Sequence, residues 1–157
     1  MLDAAALIEK HRGKGVFVDA NLLVLWLVGS INANRVATFK RTRDFNAEDF
    51  RILSRLMAYF GGPLVTTPHV LSQVSDLTDL AGSEGVRVRA LLRNTVLEMV
   101  QGRYDAARYL VEHSLFARPG LGDASVAAVP WVTTQLTSTI SGRWDGATEA
   151  GLQQMLL

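Results

Sequence analysis

The chain has 157 residues, of which 48% are hydrophobic and 20% charged, and its formal net charge is +1; these values fit one globular domain with a sizeable core. Cysteine is absent, which excludes disulfides, thiolate catalysis and cysteine-based zinc or iron–sulfur sites. The most apolar run, Leu22 to Val28, is far shorter than the roughly 20 residues a bilayer-spanning helix requires, so no membrane role is expected.

Residues 2–12 read as a short amphipathic helix closed by Gly13 and Gly15, without the basic-then-apolar pattern of a secretory leader; the expected location is cytoplasmic. Val16-Phe17-Val18 suits a buried parallel strand, and the apolar run that follows Asp19 reads as a buried helix. Residues 29–45 lack clean periodicity and concentrate Arg35, Lys40, Arg41 and Arg43. Asn46, with Glu48 and Asp49 behind it, predicts a helix start. Gly61-Gly62-Pro63 stops that helix, and Leu64-Val65-Thr66 forms a second strand. Thr67-Pro68 is a cap followed by proline at the first helical position, with Val70, Leu71, Val74 and Leu77 as the buried stripe. Ser83 and Glu84 open a helix reaching about Val100, with Val88, Leu91, Leu92, Thr95 and Met99 inward. A shorter helix is expected over 104–112, and a small-residue helix begins at Asp123 and ends at Pro130. Trp131-Val132-Thr133 is the third predicted strand, and the chain beyond Gly142 has no assignable pattern. Short apolar strands alternating with helices define an α/β class with a mostly parallel sheet.

Two acids stand at backbone transitions, Asp19 after the first strand and Asp123 at a helix start. Each has a plain role as a helix cap. Brought together in one cleft, the two carboxylates can hold a divalent cation that performs phosphoryl chemistry. His11, His69 and His113 lack metal-ligand spacing, and Ser72 and Ser75 have no histidine–aspartate pairing for nucleophilic catalysis.

Several segments together resemble the PIN domain, the fold of many metal-dependent ribonucleases and of the toxin halves of bacterial toxin–antitoxin pairs. They are Val16–Asn21, Phe39-Lys40-Arg41-Thr42, Val65–Leu77, Leu115-Phe116, Gly120–Ala124 and Val132-Thr133-Thr134. The resemblance implies a three-layer α/β/α domain with a mostly parallel central sheet over residues 1–157, the last fifteen or so being atypical. It also implies Mg²⁺ or Mn²⁺ held by Asp19 and Asp123 as catalytic and metal-binding residues, single-stranded RNA as substrate, a homodimer and a small partner protein. Arg35, Lys40, Arg41 and Arg43 are then expected near the cleft as RNA contacts, against the plainer reading of a solvated charged loop.

The acidic cluster is depleted. Gln73 stands where the family has a glutamate, Thr134 and Gln135 stand where it has aspartates just past a strand, and Gly122 replaces the threonine before the later acid. An amide keeps the shape of a carboxylate but loses its charge and turns a donor towards the cation. Asp76, about one turn beyond Gln73, is the expected partial substitute. Two functional expectations follow: a weakened endoribonuclease, or a catalytically inactive module that binds RNA or protein.

Overall fold

The computed structural model describes Glu9, Arg12, Gly13, residues 16–102 and residues 134–136. Most of the predicted 2–12 helix, the 104–112 helix, the helix opening at Asp123, the Trp131–Thr133 strand and the chain beyond Gly142 lie outside the described residues.

Strand β1 (Val16–Val18) is buried along its whole length, as its uninterrupted apolar sequence requires of a strand covered on both faces. Helix α1 (Ala20–Ile31) follows at once, with Asp19 in extended conformation as its N-cap. Eight residues of α1 are buried, among them Leu22, Leu23, Val24 and Leu25 on successive positions. A helix apolar on every side must be enclosed, and α1 packs against three other helices. Asn32 ends it, and a single 3-10 turn (Ala33–Arg35) begins the stretch that sequence leaves unassigned.

Helix α2 (Ala47–Phe60) starts with a capping box: Asn46 accepts from the main chain of Glu48 and Asp49, and Asp49 accepts from the Asn46 main chain. Gly61 closes α2 at φ 60, the left-handed conformation that glycine adopts without a side-chain penalty. Gly29 of α1 lies so close to α2 that an added Cβ would sit 2.3 Å from the Phe50 ring.

Strand β2 (Leu64–Thr66) is again fully buried. Thr67 caps α3 (Pro68–Leu77), with proline at the start and Val70 and Val74 inward. Helix α4 (Gly82–Met99) buries Val88 and Thr95, and Leu91 and Leu92 pack against the core.

Two strands depart from the sequence reading. Strand β3 (Val100–Gly102) follows α4 without an intervening residue, where a continuing helix end was expected. Strand β4 (Thr134–Leu136) contains Thr134 and Gln135, which were expected just beyond a strand. Main-chain pairing with β1 decides this, and β-branched Thr134 suits it. The four strands form one sheet in the order β3-β2-β1-β4, and every neighbouring pair is parallel. The described chain is thus a mixed α/β structure, mostly helical, around a small parallel sheet. No helix among the described residues is long and apolar enough to cross a membrane.

Candidate functional site

Connection order defines where a site can form. Strands β1, β2 and β3 run outward in one direction, and β4 returns to the other side of β1. In open parallel sheets this reversal leaves a crevice at the carboxyl ends of the strands. Asp19 is the first residue beyond β1 on that edge.

The registers say what stands beside it. Val16 pairs with Leu64 and Phe17 with Val65, and the same register carried forward sets Asp19 abreast of Thr67. Adjacent strands lie roughly 4.8 Å apart, so two helix N-caps meet side by side. Asp19 Oδ1 accepts from Leu22 N at 2.8 Å, and Thr67 Oγ1 accepts from Val70 N at 3.3 Å. Asp19 is half-buried and Thr67 buried. Next to them the Thr66 hydroxyl is buried and finds no hydrogen-bond partner among the described residues. The pairing of the two threonines with Asp19 is not visible in sequence, because it depends on a register across 48 positions of chain (67 − 19).

On the other side of β1, Phe17 pairs with Gln135 and Val18 with Leu136. Gln135 and Thr134 therefore stand two and three residues short of the level of Asp19. Asp123 lies outside the described residues.

Gln73 and Asp76 are both exposed on α3. At about 100° and 1.5 Å per residue, Gln73 is about 80° round the helix from the buried Val70–Val74 direction and about 9 Å along the axis from Thr67. Asp76 is turned about 60° further and is one more turn away, about 13 Å along. Gln73 and Asp76 are thus neighbours on one side of α3, with Asp76 the farther from Thr67 along the axis. Among the described residues no three acids or histidines converge on a cation-sized site. One carboxylate beside two threonines is too small a charge set for a hard divalent ion; a fitting shell depends on Asp123.

The basic loop stands elsewhere. Helix α1 separates Asp19 from Asn32 by about 18 Å. At that far end Arg35 Nε lies 2.9 Å from Glu84 Oε2, a charge contact without an aligned hydrogen bond, and Asn32 Nδ2 donates to Glu84 Oε1 at 3.3 Å. Lys40 Nζ donates to Asp79 Oδ2 at 2.8 Å, just past the end of α3, itself about 15 Å long. The lysine holds the Asp79 carboxyl below its ordinary range, aided by the charge of Arg41. Arg41 and Arg43 are exposed. Two of the four cations expected beside the cleft are thus held by acids about a helix length from Asp19.

A cavity of about 190 Å³ lies between Val16, Leu64, Trp26, Met57 and Ser54. Val16 and Leu64 open their strands, so this space is at the amino ends of the sheet, opposite the crevice.

No protein family matches the chain, and neither a curated protein nor a solved structure does.

Proposed function

We propose that this chain is a PIN-like domain of three-layer α/β/α build, resembling a Mg²⁺- or Mn²⁺-dependent endoribonuclease of single-stranded RNA, with weakened activity. One observation carries the reading: the order of strand addition reverses at β1 in an all-parallel sheet, and Asp19 stands at the carboxyl end of that strand. In this reading Asp19 and Asp123 hold the ion. When bound, such an ion activates water and stabilises the leaving oxygen of a phosphodiester. Asp19 is kept in place by its bond from Leu22 N, which fixes the carboxylate at the sheet edge before any ion arrives. Gln73 brings an uncharged amide where the resemblance expects a carboxylate, and this lowers the affinity of the site for the ion.

The same amide favours a second reading, an inactive module that binds RNA or protein. Removing acids lessens the repulsion that a phosphate meets at the sheet edge when no ion is present.

The two readings separate in an assay of Mn²⁺-dependent cleavage of mixed-sequence single-stranded RNA by the native chain and by Asp19→Asn. Asparagine caps helices as well as aspartate does, so the variant keeps its fold while losing the charge. Cleavage by the native chain that disappears in Asp19→Asn supports the nuclease. Absence of cleavage by either protein, even at millimolar metal, supports the binding module. Equal cleavage by both removes Asp19 from the chemistry.

A further inference from the structure

The side chain of Asp79 pairs with one cation of the basic loop. Lys40 Nζ is 2.8 Å from its Oδ2, and Arg41, next in the chain, adds its charge. The backbone that carries both cations is fixed from within. Phe39 on one side and Thr42 on the other are buried, and the Thr42 hydroxyl donates to the Val36 carbonyl at 2.7 Å. Lys40 and Arg41 are therefore presented outward from an anchored turn. The Lys40 and Asp79 side chains remain 59% and 50% exposed, and ion pairs this open to solvent exchange partners at little cost.

We propose that Asp79 is an internal stand-in for a phosphate: its carboxylate occupies a site on Lys40, beside the exposed Arg41 in the chain, that accepts a backbone phosphate of single-stranded RNA when Asp79 moves aside. Guanidinium and ammonium groups bind phosphate oxygens by the same charge-assisted hydrogen bonds they make to carboxylates. Asp79 sits in the short connection between α3 and α4, where a side-chain rotation releases it without disturbing a helix. The inference rests on RNA as the ligand proposed above. It concerns a surface about a helix length from Asp19, so affinity and cleavage can be changed separately.

The test is fluorescence anisotropy of a short labelled oligouridylate over a KCl series, with EDTA present so that metal-dependent cleavage does not intervene. Asp79→Asn is expected to bind several-fold tighter at low salt. Its log–log salt slope should stay at the native value, because the same phosphate is neutralised once Asp79 has moved aside. Adding Lys40→Met to Asp79→Asn should cancel the gain and make the slope shallower by about 0.7, the loss of one phosphate contact on a single strand. Unchanged affinity in Asp79→Asn would overturn the stand-in while leaving RNA as a ligand. Tighter binding that survives Lys40→Met would also overturn it, since that is loss of a repelling charge alone. No binding by either protein would overturn this proposal and the RNA readings together.

Discussion

At the first turn of α1 the partners are main-chain groups: Asp19 accepts from Leu22 N, and beside it Thr67 caps α3 by accepting from Val70 N. At the last turn of α1 the ties run through charged side chains, Arg35 and Asn32 to Glu84, with Lys40 to Asp79 beyond them. The first set is half-buried to buried; of the second, Asn32, Arg35 and Glu84 are half-buried, whereas Lys40 and Asp79 are open to water. Main-chain caps hold a geometry that salt barely touches. Exposed ion pairs hold a position that salt and competing anions can loosen. The crevice end thus keeps its shape before a ligand comes, whereas the loop end can exchange one anionic partner for another.

The largest expected effect strikes the packing that joins the two ends. Gly29→Ala puts a methyl 2.3 Å from the Phe50 ring. Overpacking of this kind costs about 1–3 kcal/mol, read from the midpoint of urea unfolding. Phe50→Leu in the same chain should return most of the loss. An unaltered midpoint in Gly29→Ala would mean that α1 and α2 can separate freely.

Next in size is the cap itself. Asp19→Ala should cost about 1 kcal/mol, while Asp19→Asn should cost little. Equal losses in the two variants would show that the charge of Asp19, rather than its bond from Leu22 N, holds the start of α1.

The smallest effect sharpens the contrast at the loop end. Lys40 lowers the Asp79 pKa below its ordinary value of 3.8, so the folded state prefers the ionised carboxylate. The resulting stability is present above that ordinary value and is lost as pH falls through the lowered one. Native chain and Asp79→Asn should therefore differ slightly at neutral pH in low salt, converge on acidification, and converge again in high salt. A difference that survives acid and salt would assign Asp79 a role other than pairing with Lys40.

Legibility in the sequence followed the range of the interaction. Asp19, Asn46 and Thr67-Pro68 announce helix starts within a few residues, and all three cap their helices as read. Strand β3 was hidden because Val100 follows Met99 with no glycine or proline between them. Apolar content drew the third predicted strand to Trp131–Thr133, while the described pairing with β1 involves Thr134, Gln135 and Leu136. That shift alters the expected site as well, because Thr134 and Gln135 lie within the ladder rather than beyond it. Likewise, the partners of Lys40 and Arg35 are 39 and 49 positions away (79 − 40, 84 − 35), and no local pattern marks them. Asp19 was legible as the residue between β1 and α1; its neighbours Thr66 and Thr67 needed the register.

The enclosure of α1 also bears on the order in which the chain is made. Synthesis delivers Leu22 to Val28 early, whereas the helices that cover them end at Phe60, Leu77 and Met99. During translation the emerging polypeptide therefore carries an apolar segment whose shelter has not yet been built. Such segments invite chaperone capture or self-association until the later helices arrive, so the yield of folded protein is expected to depend on elongation speed through the codons from Leu22 to Met99.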